Sequence, residues 1–279
     1  MEATQPVSDS RAARRAAREE RRRNPILPPI ATERRVTLVL ATILYAGLLA
    51  LGFAADPALG AAAVAWGGIV LAWGWPGLLG SSSRFGSSIA IGVAGVIAPI
   101  VVALTPDQPF LRHLPVVVAG ALLAMFLHQL LRRDGRPRLT QSIAVSAAGI
   151  AIATMGAAWV PLGRTFGGPH VVLAVAAAVA LSSLADLSAP YDKVRPWMFP
   201  LAALLGLVGG GVTGRLLDDV GLLAGGVIGM VAAGLAHVMR RALAALPPVR
   251  GMRGQVTAAV AGVLIGAVPV LVLANFFVG

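Results

Sequence analysis

The sequence has few charged residues, few aromatic residues and no cysteine. Charged residues occupy 13% of the 279 positions, against ~25% in an ordinary soluble domain. Because 57% of the residues are hydrophobic, the chain has too little polar surface to coat a core in water. The lack of cysteine excludes disulfides, thiolate metal sites and cysteine nucleophiles. A lipid bilayer is the solvent that fits this composition.

Nine apolar stretches follow a polar N-terminal segment. Each is close to the ~20 residues that cross a hydrocarbon core, and short loops with Gly, Pro, Ser and charge separate them. The pattern predicts an all-α, polytopic transmembrane bundle over 36–279, preceded by a basic, disordered cytoplasmic tail over 1–35. The predicted spans are 36–54, 59–80, 88–105, 114–131, 141–161, 169–187, 197–214, 220–238 and 255–277.

The basic residues predict an orientation for these spans. With the N-terminus inside, 20 of the 23 basic residues fall on the inner side, and only Arg112, Arg164 and Arg215 fall outside. The positive-inside rule therefore predicts a cytoplasmic N-terminus and an outer C-terminus. The excess of arginine and alanine is typical of a high-GC bacterium, which predicts a multi-pass protein of the inner, or cell, membrane.

The placement of charge also predicts the partners. The net charge is +11, but the basic residues lie in the tail and in short loops between apolar stretches, so nucleic acid is not expected. The arginines of the tail predict attraction to anionic phospholipid head groups, worth about 1 kcal/mol per basic residue near the surface. The sequence does not identify a protein partner.

Small residues and prolines mark several spans. Glycines spaced four apart share one helix face and let backbones approach closely, which predicts tight packing among spans seven to nine. Prolines inside apolar stretches are predicted to kink their helices, and broken helices often line binding sites in transporters. The glycines are Gly206, Gly210, Gly214, Gly221, Gly225, Gly229, Gly262 and Gly266, and the prolines are Pro76, Pro99 and Pro269.

Ionisable residues near the apolar spans are the candidate functional residues, because a charge in lipid is costly. Asp186, at the inner end of span six, is predicted to bind a metal, relay a proton, or pair with Lys193 or Arg195. His128 and His237 both fall near the inner leaflet, where they are able to approach each other. Two histidines without a spacing motif predict no metal site.

The remaining motifs predict no catalytic centre. Asp218 and Asp219 are predicted to form a solvated turn paired with Arg215, with an outward cation site as the alternative. The sequence has no nucleotide-binding glycine loop and no serine in a nucleophile elbow.

The order of elements in the second half carries a resemblance. The sixth span ends in Leu-Ala-Asp-Leu-Ser at 184–188, a basic loop leads into a Gly-rich pair of spans, and the eighth span runs into Arg240 and Arg241. The last span contains Ala-Val-Pro-Val at 267–270. In order and hydropathy, 114–279 resembles the phosphatidate cytidylyltransferases, or CDP-diacylglycerol synthases.

This resemblance implies a membrane enzyme that uses CTP and magnesium, with Asp186 and Arg241 at family positions. The family's signature loop carries Lys-Asp, His-Gly-Gly and Asp-Arg-x-Asp, whereas 239–254 here contains no carboxylate and no histidine. Because magnesium needs carboxylate oxygens, the loop predicts a degenerate relative without a cofactor. The candidate phosphate-binding residues are Arg240, Arg241, Arg253 and Lys193.

Three functions follow from these observations. The first is a non-catalytic envelope or lipid-related role. The second is a small-solute or lipid transporter. The third is a lipid-modifying enzyme, with magnesium as its cofactor and Asp186 as its catalytic residue.

Overall fold

The computed structural model describes residues 33–132 and 138–278, so all but the last three residues of the predicted tail lie outside the described ranges. Within these ranges the chain forms ten α-helices, joined by turns and 3-10 segments, and no strand. The helices are α1 Val36–Ala55, α2 Pro57–Leu78, α3 Arg84–Leu104, α4 Leu114–Leu131, α5 Leu139–Met155, α6 Gly168–Ser183, α7 Met198–Leu216, α8 Leu222–Ala244, α9 Met252–Leu264 and α10 Ala267–Phe277.

The described ranges contain nine segments that are helical, long and apolar enough to cross a membrane. The predicted number of spans and the all-α class are therefore confirmed, and the chain is a multi-pass helical membrane protein. The fifth span is longer than predicted, because 3-10 turns extend it from α5 to Arg164. The ninth span, Met252–Phe277, consists of α9 and α10.

Pro269 explains the break in the ninth span. Helix α9 ends at Leu264, and α10 begins at Ala267. A proline ring clashes with the carbonyl group four residues earlier, and here that residue is Ile265, which lies between the two helices. At Pro269 the predicted kink is a break between two helices, whereas α2 and α3 continue as helices through Pro76 and Pro99.

Helix α9 forms the centre of the bundle. All of its residues from Thr257 to Leu264 are buried, and most of them are small. The helix contacts α1, α2, α5 and α8, so it packs against helices from both the N-terminal and the C-terminal half of the chain. Helix α4 lies at the edge, where it packs mainly on α3 and α5 and is the least buried span.

Glycines bring α7 and α8 into backbone contact. A β-carbon added to Gly210 would collide with the carbonyl oxygen of Gly225, and one added to Gly214 would collide with that of Gly221. The predicted tight packing of spans seven and eight is confirmed. The ninth span packs on α8 with more room, since a β-carbon on Gly262 would lie 3.2 Å from the carbonyl oxygen of Ala236.

Basic side chains of the described ranges separate to the two ends of the bundle, as the predicted alternation of spans requires. We call the end with more basic residues the basic end. Contacts between its loops hold it together, including the bond from Arg34 Nη2 to the hydroxyl of Tyr191 at 3.0 Å. The basic end holds Arg34, Arg35, Arg84, Arg132, Arg138, Lys193, Arg195, Arg240, Arg241, Arg250 and Arg253, and the opposite end holds Arg112, Arg164 and Arg215.

Arg164 has a structural role at the opposite end. Its Nη1 donates to the carbonyl oxygen of Thr105 at 2.6 Å, and its Nη2 donates to that of Pro106 at 3.1 Å. The guanidinium carbon lies 4.3 Å from the centre of the Phe110 ring. Arg164 thus satisfies carbonyl groups at the end of α3 that have no partner within the helix.

Candidate functional site at the basic end

Asp186, His237 and Arg240 form a buried cluster at the basic end. The turn after α6, Leu184–Ser188, carries Asp186. His237 and Arg240 lie three residues apart in α8, so they share one helix face. Arg240 Nε donates to Asp186 Oδ2 at 2.6 Å. The side chains are almost inaccessible, with exposed fractions of 7% for Asp186, 2% for His237 and 1% for Arg240.

His237 approaches the other oxygen of the same carboxylate. Its Nδ1 lies 3.1 Å from Asp186 Oδ1. Both atoms lack a partner with hydrogen-bond geometry in the described ranges, so this contact is electrostatic. It is an ion pair when the imidazole is protonated. Asp186 thus faces two basic side chains of α8.

The structure corrects the expected pairing of Asp186 with Lys193 or Arg195. Arg195 instead donates to the Asp192 carboxylate, three residues earlier, and to the carbonyl oxygen of Ala189 at 3.2 Å. Lys193 lies exposed in the same loop. The partners of Asp186 come from α8 because the tertiary fold brings the ends of spans six and eight together.

A small pocket opens beside this cluster. Its lining includes the charged residues Glu33, Arg35, Asp186, Arg240 and Arg241. Its volume is about 10 Å³, which is room for roughly one water molecule. Three of these lining residues carry a guanidinium group and two carry a carboxylate.

Neighbouring contacts hold the two N-terminal residues of this pocket. Glu33 Oε1 accepts from Arg250 Nε at 3.0 Å and lies 2.8 Å from Arg250 Nη2, so the two side chains form an exposed ion pair. Arg35 Nη2 donates to the carbonyl oxygen of Ala244, at the end of α8, at 3.1 Å. Sequence reasoning assigned Arg35 to the tail and missed it, because only the fold brings the start of α1 to the end of α8.

Burial lowers the pKa of Arg35 but leaves its charge at neutral pH unchanged. Desolvation lowers the pKa of its guanidinium, the Glu33 carboxylate raises it, and the Arg241 charge lowers it. A guanidinium group stays protonated at neutral pH despite such effects. Arg35 therefore contributes a full positive charge to the pocket.

Arg240 has unused hydrogen-bonding capacity. Its Nη1 and Nη2 atoms are buried and have no hydrogen-bond partner among the described residues. Leaving a buried polar group without a partner costs about 1–3 kcal/mol, and more when the group is charged. An acceptor that reached these atoms would recover part of that free energy.

The cluster does not fit a magnesium ion. Magnesium prefers an octahedral shell of oxygen atoms. Asp186 is engaged by Arg240 and His237, and Glu33 is engaged by Arg250. Across 33–132 and 138–278, no three His, Cys, Asp or Glu side chains are grouped closely enough to hold a metal ion.

The structure unites only two of the four predicted phosphate-binding residues. Arg240 and Arg241 both line the pocket with Asp186. Arg253 instead donates to the backbone carbonyl of Trp73, and its guanidinium carbon lies 4.8 Å from the centre of the indole ring. Arg253 and Lys193 therefore lie outside the cluster.

A second polar cluster joins α3, α4 and α5, and sequence reasoning missed it. Ser146 Oγ donates to Ser87 Oγ at 2.7 Å, and Gln129 Nε2 donates to Ser142 Oγ at 2.9 Å. All four residues are buried. Ser142 and Ser146 are four residues apart in an apolar span, which is the signal that sequence reasoning had available. Their mutual hydrogen bonds explain the cluster as packing between spans.

His128 and His237 do not share a site. His128 Nε2 lies 2.9 Å from Ser83 Oγ, and its ring packs against Gly86 at the start of α3. His128 also lies at one end of an apolar groove of about 390 Å³ between α3 and α4. The two histidines thus contact different spans.

The expected pairing of the Asp218–Asp219 turn with Arg215 is replaced by another contact. Asp219 Oδ2 lies 2.7 Å from His170 Nδ1. Because span six begins beside the turn between α7 and α8, His170 is the nearer basic group. This pair lies at the opposite end of the bundle from Asp186.

The fold and the site define a multi-pass helical membrane protein with a buried Asp–His–Arg cluster at its basic end. Comparisons of the chain with protein-family models, with curated proteins and with solved structures give no match.

Proposed function

We propose that this is a non-catalytic inner-membrane protein of a high-GC bacterium with a lipid-related role: it binds anionic phospholipid head groups at its basic end. The observation that carries the proposal is the pocket at which Arg35 and Arg241 adjoin the buried Asp186–Arg240 pair. Exposed basic residues of the surrounding loops add a diffuse attraction to a negatively charged membrane surface.

Two features favour this role over the alternatives. The centre of the bundle is filled by the buried α9, which favours a scaffold over a path for a small solute. The engaged carboxylates of Asp186 and Glu33 favour a binding role over magnesium-dependent cytidylyl transfer. The cytidylyltransferase resemblance then reflects a shared plan of spans.

Anionic lipid is expected to stabilise the purified protein. In nanodiscs that contain phosphatidylglycerol, we expect a higher melting temperature than in phosphatidylcholine nanodiscs, because the basic end attracts anionic head groups. Replacing two exposed basic residues of that end, Arg84→Gln with Lys193→Gln, should weaken the effect by about 1 kcal/mol per charge. Added salt should weaken it as well.

The control removes the same charge from the opposite end. The Arg112→Gln, Arg215→Gln double variant should keep the full response to phosphatidylglycerol. Equal melting temperatures in the two lipids would contradict lipid binding. If CTP with magnesium stabilised the protein, and Asp186→Asn abolished this effect, the result would favour a cytidylyltransferase over the proposed binding role.

The orientation proposed for this role places the basic end in the cytoplasm. Because the chain has no cysteine, single cysteines report the topology without background. In intact cells, an impermeant maleimide should label Arg112→Cys but label Lys193→Cys only after the membrane is permeabilised. The reverse labelling pattern would show the opposite orientation. Labelling of both sites in intact cells would contradict the alternation of spans.

A further inference from the structure

We infer that the apolar groove between α3 and α4 binds one phospholipid, with an acyl chain along the groove and the phosphate at the basic end beside Arg84. The inference rests on the proposed function and deepens it, because it assigns one lipid molecule to a defined place on the bundle. The groove has a volume of about 390 Å³, which lies within the ~300–1,000 Å³ that is usual for ligand pockets.

Small residues on two facing helices form this groove. Gly86, Ala90 and Ala94 recur every four residues in α3, so they share one helix face. On α4, Gly120 and Ala124 are likewise four residues apart, and both line the same groove. A β-carbon added to Gly120 would meet no atom within 4 Å, so no side chain of the described ranges fills the space there. The hollow follows from the small size of these residues.

The length of the groove matches one leaflet of a bilayer. Its lining extends from Gly86 to Ile97 on α3 and from Val117 to His128 on α4. Each stretch rises about 16 Å, because an α-helix advances 1.5 Å per residue. One leaflet contributes half of the ~30 Å hydrocarbon core, or ~15 Å. An acyl chain that enters at the basic end therefore stays beside the groove through its own leaflet.

The lining of the groove favours an apolar chain. Among the described residues that line it, His128 alone is polar. Ile89 and Val93 of the groove wall are each about half exposed, so the groove opens away from the bundle, towards lipid. Water does not fill an apolar hollow of this kind, and an empty hollow would forfeit van der Waals contacts with its walls. A lipid chain that lies parallel to the helices restores those contacts.

Polar groups at one end of the groove orient the lipid. His128 lies at the basic end, where its Nε2 is 2.9 Å from Ser83 Oγ. The next residue, Arg84, begins α3 and is exposed. A guanidinium group suits the oxygens of phosphate. At the other end, Ile97 and Val117 are apolar, so the phosphate of a lipid in the groove is placed at the level of Arg84.

Photocrosslinking to the full-length protein tests the site. The probe is phosphatidylglycerol with a photoactivatable group on one acyl chain, titrated into the protein in micelles of a neutral detergent. We expect crosslinking that saturates at one lipid per protein, with the crosslinked peptides coming from α3 and α4. Unlabelled phosphatidylglycerol should compete for the site. Diacylglycerol, which lacks the phosphate, should compete more weakly.

Two variants fill the groove with a side chain. Ala124→Phe should weaken the binding of the probe roughly tenfold, because the ring occupies the place of the acyl chain. The matched control, Ala119→Phe, adds the same ring at an exposed position of α4 that does not line the groove, and it should leave the affinity unchanged. If Ala124→Phe failed to fold, Gly120→Leu would decide, because that position has open space around it.

A third variant tests the contact with the phosphate. Arg84→Gln should remove the advantage of phosphatidylglycerol over diacylglycerol as a competitor. Lys193→Gln removes an equal charge from an exposed loop of the same end and should leave that advantage in place. Competition by diacylglycerol that equals competition by phosphatidylglycerol in the unmodified protein would overturn the assignment of a phospholipid.

Other outcomes would overturn the groove as the site. Crosslinking that does not saturate, or that is spread over all spans, would show an ordinary lipid shell. Equal loss of binding in Ala124→Phe and Ala119→Phe would place the lipid elsewhere on α4. A dimer that Ala124→Phe converts into a monomer, measured by size-exclusion chromatography, would mean that a second copy of the chain covers the groove.

The two sets of measurements separate this inference from the proposed function. Failure of the groove as a site leaves the stabilisation by phosphatidylglycerol nanodiscs in place, because the basic residues of the loops supply that effect. Equal melting temperatures in phosphatidylglycerol and phosphatidylcholine nanodiscs, with saturable crosslinking retained, would overturn the attraction to anionic head groups. The groove would then hold phospholipids whatever their net charge.

Discussion

Replacement of Asp186 with alanine is expected to destabilise the folded protein by about 3–5 kcal/mol, the cost of breaking a buried ion pair by removing one partner. The variant would leave the guanidinium of Arg240 buried, with none of its contacts to a carboxylate. Unfolding by heat or by a denaturing detergent, in the same micelle for all variants, measures the change.

Two controls separate the effect of burial from the loss of a charge. Asp192 also pairs with an arginine, Arg195, but its side chain is 87% exposed. Asp192→Ala should cost no more than about 1 kcal/mol, since exposed ion pairs contribute little. The double variant Asp186→Asn with Arg240→Gln removes both buried charges and should recover much of the stability lost in Asp186→Ala.

Two results would contradict these expectations. Equal destabilisation by Asp186→Ala and Asp192→Ala would mean that water reaches the cluster and screens its charges. A double variant as unstable as Asp186→Ala would show that packing around the side chains, and not the charge pair, supplies the stability.

Substitution of Gly210 by alanine is expected to destabilise the protein by about 1–3 kcal/mol, the usual range for overpacking. The new methyl group would collide with the carbonyl oxygen of Gly225 and approach the Cα of Gly229 to 2.9 Å. Because these neighbours are backbone atoms, α7 and α8 would have to separate. Thermal unfolding in micelles measures the loss.

The matched control is Gly47→Ala in α1. A β-carbon at Gly47 meets no atom within 4 Å. Alanine is favoured over glycine in a helix by about 0.5–1 kcal/mol, so this variant should be neutral or more stable. If Gly210→Ala were as stable as Gly47→Ala, the close approach of α7 and α8 would not contribute to the stability of the fold.

Most of the fold followed from local sequence patterns. The number of spans depends on apolar stretches whose length the bilayer sets, and the separation of basic residues to opposite ends follows from their alternation along the chain. The glycine contact between α7 and α8 was predictable, because residues four apart occupy one face of any helix. These features depend on residues close in sequence.

The site was predictable only in part. Asp186, Arg240 and Arg241 stand out as charges at the ends of apolar spans, and that signal was enough to nominate them. Their mutual arrangement was not accessible, because Asp186 and Arg240 are 54 residues apart and belong to different spans. Lys193 and Arg195 were the obvious partners from proximity in sequence, but the loop directs them elsewhere.

The sequence by itself determined that this is a multi-pass helical membrane protein with one strongly basic end, because hydropathy and charge act over single spans. Only the tertiary structure decided which charges meet. It brought Arg35 at the start of α1 and Arg240 and Arg241 of α8 to Asp186 after α6, and it placed α9 at the centre. Packing of distant helices sets these contacts, and no local pattern encodes them.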